Sequence, residues 1–187
     1  MESDGPPSPS RRGLHLSRVA DLPYWLGEEL YAVEVDGDVV EGRSVVAASR
    51  ARLTERVTGW HRDAAVAFGR DCVWAARDVV VRLLRTAGRD PAADALEAVP
   101  TLTVLAASAD DVAQREAASA TDDLGYLADA ARFAEQIEGE AAWASQAATV
   151  ALVTATAAAR GGGAGSSWAG ERARQAAWLS AHVLATC

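Results

Sequence analysis

Alanine accounts for 43 of the 187 residues and is concentrated after position 60, where helix-start and helix-stop residues punctuate one long apolar-periodic stretch. Alanine favours helix and is too small to hold neighbouring backbones apart. Such a chain is confined to closely abutting helices, so the expected fold is mainly α, an Ala-rich helical bundle. Its length suits one domain. Alanine buries little area, and at about 25 cal/mol per Å² a core needs bulkier partners. Six of the aromatic residues are tryptophan, and Trp25, Trp60, Trp74, Trp143, Trp168 and Trp178 are expected to be wedges between alanine-faced helices.

The N-terminal quarter reads differently. Pro6, Pro7 and Pro9 among serines predict a mobile Pro/Ser-rich arm over residues 1–20, with a single helical domain over 21–187. Leu30 to Val35 alternates, with Tyr31, Val33 and Val35 on one face, and Asp36-Gly37 follows at once. Asp-Gly between β-prone runs favours a type I′ turn, so a small β-hairpin is expected at about 29–47, packed on the helices. Two or three strands are marginal alone, and the helices are the surface available to them. Arg50 to Val57 fits a short helix or a further strand.

Beyond it, Asp63 is read as the cap of a helix carrying Phe68, Cys72, Val79 and Leu83 and stopping at Gly88. Asp90-Pro91 caps a short helix ending before Pro100. Residues 101–107 stay ambiguous, and Ser108-Ala-Asp-Asp111 reads as the opening of a helix to about Ala120. Thr121 caps a helix to Gly139, Glu140 to Arg160 forms another, and a Gly-rich loop leads to a last helix over Trp168 to Ala185.

The formal charge of −8 argues against nucleic acid, which needs a basic face, and suits a basic protein partner, whose approach it would speed. All 18 cations are arginine, the usage of a GC-rich genome such as an actinobacterium has. Cys72 and Cys187 make a poor disulfide framework. No apolar run reaches a membrane span and no leader pattern opens the chain, so no membrane association and a cytoplasmic location are expected.

Chemistry-bearing motifs are sparse. Gly161 to Ser167 lacks the Lys-Ser/Thr ending of a phosphate loop and follows a helix, so it reads as a linker ending in a serine cap. His61, Asp63, Asp71 and Cys72 lack one-face ligand spacing. Acidic pairs at Asp110-Asp111 and Asp122-Asp123 suit helix first turns. Arg70, Asp71, Arg77 and Asp78 read as a solvated stripe. No catalytic residue, metal ligand or cofactor is assigned.

Three landmarks carry a resemblance: Ala67-Phe-Gly-Arg-Asp-Cys72, Pro91-Ala-Ala-Asp-Ala-Leu96, and the pair Ala141-Ala-Trp-Ala144 with Ala176-Ala-Trp-Leu179. From about Ala64 onward, roughly two thirds of the chain, their order resembles the immunity protein family of bacterial polymorphic toxin systems. The Asp-Gly hairpin is not part of that pattern. The resemblance implies an α-helical protein that neutralises a toxin by direct contact and has no catalytic residues.

Two functions follow. The first is a non-catalytic protein-binding protein, of immunity type, whose partner is a protein and in that case a basic toxin. Its surface would combine indoles with carboxylates: Trp25, Glu28, Glu29, Glu34, Asp38 and Trp60. The alternative is a small-molecule-binding protein or small enzyme of a natural-product pathway. It would have a pocket between helices that draws on Asp71, Cys72, Arg132 and Gln146. A homo-oligomer is a third option.

Overall fold

The helix α1, Arg62–Thr86, is the longest element and the centre of the molecule, in contact with four other helices. In the computed structural model, which describes residue 8 and residues 13–115, 121–160 and 167–186, it is followed by five more helices. These are α2 (Asp90–Glu97), α3 (Leu102–Arg115), α4 (Thr121–Gln136), α5 (Trp143–Arg160) and α6 (Trp168–His182). Before them run β1 (Leu14–Leu16), a 3-10 turn at Val19–Tyr24, β2 (Tyr31–Glu41) and β3 (Val46–Arg56). The fold is mainly α with a small N-terminal antiparallel sheet, as expected from the alanine pattern.

The alanine faces meet closely. Ala65, Ala93, Ala109, Ala128, Ala131, Ala147 and Ala151 are all fully buried. The bulk that fills the interior is aliphatic, with Phe68, Leu96, Leu105, Leu124, Leu127, Ile137 and Leu179 the largest sealed side chains. The wedge reading of the indoles therefore holds only in part. Trp60 is in the core, Trp74, Trp143 and Trp178 line its margin, and Trp25 lies outside.

Helix ends follow local chemistry, with corrections. Gly88 has φ +72° and stops α1 as predicted, its N–H and that of Arg89 returning to Arg85 and Leu84 carbonyls. The cap at the other end is His61, whose Nδ1 accepts from Ala64 N–H at 3.4 Å, so Asp63 is already inside the helix. Asp90 is likewise helical, behind Arg89. The opening assigned to Ser108 is overturned. Leu102, Leu105, Ala106, Ala109 and Val112 form one unbroken buried stripe, and the half-buried serine lies in mid-helix beside it. Thr101 is the residue whose hydroxyl accepts from Val104 N–H. Ser167 caps α6 by accepting from Gly170 N–H at 3.0 Å, and the rest of the Gly-rich linker lies outside the described residues, as does Cys187.

The sheet departs furthest from expectation. Its order is β1-β3-β2, all antiparallel. Asp36-Gly37 makes no turn. The strand β2 runs through it, and the chain reverses at Gly42 to Val45, closed by Gly42 N–H donating to Val45 O at 2.8 Å. The hairpin thus spans Tyr31–Arg56, not 29–47, and Arg50 onward is strand. Asp36 faces Arg50 while Val39 faces Ala48, so Gly37 and Asp38 together oppose one residue, a bulge. Gly37, at φ +83°, supplies the positive φ that the bulge requires, and its N–H is satisfied by Asp36 Oδ1. Leu14–Leu16, within the segment assigned to the arm, is the third strand, paired with Val46–Ala48.

Candidate functional site

The β2–β3 hairpin has two unlike faces. Cross-strand partners share a face, so Val33 lies with Leu53 and Val35 with Ala51. Alternation puts Tyr31 on that apolar side as well. The opposite side carries Glu34 beside Arg52 at 2.5 Å and Asp36 near Arg50 at 3.7 Å. Both ends of the hairpin are held by the body. Arg18 donates to Gly42 and Arg43 carbonyls at the turn, Trp25 Nε1 donates to Ser44 O at 2.8 Å, and Val57, just past β3, enters the core. No helix packs extensively on either strand.

The apolar side therefore stays open. It walls a groove of about 640 Å³ with Leu22, Trp25, Tyr31, Val33, Leu53 and Leu184 among its lining residues. Leu53 is 57% exposed and Trp25 53%, values at which a core residue would forfeit most of its burial. Glu28 and Glu29 stand exposed beside Trp25 in sequence, and Glu29 pairs with Arg56 at 3.1 Å. Asp38 is exposed at the bulge.

Of the six residues assigned to a partner surface, five are on this part of the molecule and one is not. Trp60 is only 4% exposed, with its Nε1–H donating to Gly27 O at 2.7 Å and its ring against Phe68 and Trp143. A sealed indole cannot anchor a partner, and its assignment to the surface is corrected. Missed by the sequence reading were Leu53, Leu22 and Leu184. The strand alternation could have found Leu53, but only with β3 recognised.

The four pocket candidates do not converge. Asp71 accepts from Arg174 of α6, which also holds Glu171 at 2.9 Å, so Asp71 is not part of a solvated stripe. Arg77, with its neighbour Asp78 at 2.6 Å, lies over the Trp74 ring. Arg132 is on the outside of α4, joined to Asp110 of α3 and Asp129. Asp110 and Asp111 are accordingly mid-helix residues with arginine partners, not first-turn acids. Gln146 donates to Phe133 O and Gln136 Oε1 between α5 and α4. None of the four lines the groove above, nor a cleft of about 290 Å³ flanked by Arg82, Arg174, Asp78 and Glu171.

Cys72 is fully buried, and burial pushes its thiol well above the usual range, despite the nearby Arg174 guanidinium. A thiol in that state is a packing residue. In a Cys187→Ser background we expect thiol-specific reagent at pH 8 to label Cys72 at least about a thousandfold more slowly than in the unfolded chain, at the rate of transient opening. Rapid stoichiometric labelling of the native protein would contradict this burial.

Near Cys72, α6 carries the polar interior of the molecule. Glu171, Arg172 and Gln175 are buried beside Thr154 of α5. Arg172 lies 3.5 Å over the Tyr24 ring, whose hydroxyl accepts from Trp168 Nε1 at 2.8 Å. Burial lowers the pKa of Arg172, and its Nε has no hydrogen-bond partner. Arg172 Nη1 donates to Gln175 Oε1 at 3.0 Å and Gln175 Nε2 to Glu171 Oε1 at 3.0 Å, so these groups tie one another in place, with Glu171 also at the border of the cleft of about 290 Å³.

Among the described residues no group of three His, Cys, Asp or Glu side chains could hold a metal ion, and no helix is long and apolar enough to cross a membrane. No family model, curated protein or solved structure matches the chain.

Proposed function

We propose that this protein works by binding another protein through the open apolar side of the β2–β3 hairpin and the groove beside it, and carries out no chemistry there. The observation that supports the reading is the groove itself: an exposed indole and an exposed leucine flank it, and Glu29 is in its lining. Aromatic anchors dominate interface energetics, and peripheral charges set the rate and sign of approach. Acids outnumber cations on the hairpin, with Glu28 and Glu29 at the groove end and Glu34 and Asp38 along β2, and this surplus selects a basic partner. In the immunity-type form of this reading, which the landmark resemblance favours, the partner is a toxin.

A photo-crosslinking residue placed at Leu53 in the native host tests this, with the same residue at Val104 on α3, also exposed, as the control. We expect a discrete heavier adduct from position 53 and none from 104. Equal yields, or none, would remove the hairpin as a docking surface. We further expect Leu53→Asp to abolish capture through a crosslinker at Tyr31 while shifting unfolding free energy by less than about 1 kcal/mol, because the side chain stabilises little in the free protein.

A further inference from the structure

We infer that the partner enters as an extended segment of alternating apolar and basic residues, adding as a fourth strand to the free edge of β2. This rests on the docking reading above and specifies its chemistry. The order β1-β3-β2 leaves β2 at the margin of the sheet, an 11-residue strand whose outward backbone groups face no other described element. Such an edge is a ready template for strand addition, where main-chain hydrogen bonds supply affinity and alternate side chains supply specificity. Before the Gly37–Asp38 bulge, Tyr31 to Asp36 offers an edge of ordinary strand length, with Thr54 of β3 an extra residue opposite the step from Ala32 to Val33.

The side chains along that edge fix the chemistry of the occupant. Tyr31, Val33 and Val35 point to the groove side, while Glu34 and Asp36 point to the other. With Asp38 and Glu41 the strand carries four carboxylates and no cation. Glu34, Asp36 and Glu41 each have one arginine nearby in exposed pairs, which contribute little energy and leave further acceptor sites on the carboxylates. A fourth strand with apolar residues in one phase would widen the apolar side over the groove. Basic residues in the other phase would lie against Glu34 and Asp36. A second copy of this chain is the wrong sign, because two β2 edges would set carboxylate against carboxylate. The acids and the bulge thus discourage indiscriminate edge pairing while admitting a basic strand.

The test uses ten-residue peptides added to the isotopically labelled full-length protein: alternating Val and Arg; the same peptide N-methylated at alternate residues; alternating Val and Glu; and Val and Arg rearranged to helical spacing. We expect the first to bind at least about tenfold more tightly than the other three, weaken with added salt, and protect β2 amides over residues 31–36 from exchange. Equal binding by the N-methylated or helical peptide, absence of binding by the first, or a peptide-free dimer with protected β2 amides would each overturn strand addition. If Leu53→Asp still abolishes the crosslinked adduct while no peptide protects β2, strand addition fails and the docking reading survives. A missing adduct from position 53 removes the docking reading itself.

Discussion

Replacing Trp60 with alanine is expected to lower the unfolding free energy by about 3–5 kcal/mol, the cost of deleting a sealed indole from a core. The ring lies 6.4 Å from Phe68 and 5.4 Å from Trp143, and its N–H is donated to Gly27 O at 2.7 Å. Three parts of the molecule meet there: the start of α1, the start of α5, and the loop that leads into β2. Trp60→Phe keeps a ring against Phe68 and Trp143 but strands the Gly27 carbonyl, and should cost about 1–2 kcal/mol. Trp25→Ala, on an indole half exposed to water, should move stability by less than about 1 kcal/mol and impair partner capture instead. For a chain of this size the Trp60→Ala loss corresponds to a fall in Tm of roughly 6–20 °C, read by thermal unfolding. A Tm unchanged by Trp60→Ala, with capture lost, would return Trp60 to the docking surface and refute its burial.

The contrast between the two indoles shows where the sequence was legible. Helix existence was readable, because the apolar period of α1 and the positive-φ glycine at position 88 are local signals. Ser108 misled because its capping chemistry is local, whereas the stripe from Leu102 to Val112 that overrides it depends on α3 meeting its neighbours. Asp36-Gly37 misled for a related reason. A glycine with positive φ serves a bulge as well as a turn, and only the pairing of Val39 with Ala48 distinguishes them. Placing the reversal seven residues too early left Arg50 to Val57 undecided between helix and strand, and so hid Leu53 and the amphipathic character of the hairpin. Trp25 and Trp60 carry no local mark of their fates. One faces the groove and one the core because of where Gly27 and Ser44 offer carbonyls.

Glu171→Ala is expected to be the second large loss, about 2–4 kcal/mol, although α6 would lose only one polar side chain. Alanine faces are nearly uniform in shape, so packing alone leaves the register of α6 against α1 and α5 weakly specified. The polar groups on α6 supply what shape does not. Glu171 Oε1 accepts from Arg174 Nη2 at 2.9 Å and from Gln175 Nε2 at 3.0 Å, while Arg174 reaches across to Asp71 on α1. Gln175 Nε2 also donates to Ala151 O at 2.9 Å and Thr154 Oγ1 at 3.1 Å on α5. Burial opposes the charge of Arg174, but its hydrogen bonds to Glu171 and Asp71 outweigh that and raise its pKa. Removing Glu171 leaves the cation with Asp71 alone. The cost stops short of a fully buried orphan because Arg174 is about one-third exposed to water. Arg172→Met should cost less, about 1–2 kcal/mol, since it strands Gln175 Oε1, which accepts from Arg172 Nη1 at 3.0 Å, but removes a buried charge with an unpartnered Nε and refills the space over Tyr24. The two variants compared by urea unfolding decide the matter. If Arg172→Met is the costlier, then the cation stacked on Tyr24, rather than the carboxylate between Arg174 and Gln175, fixes α6 in place.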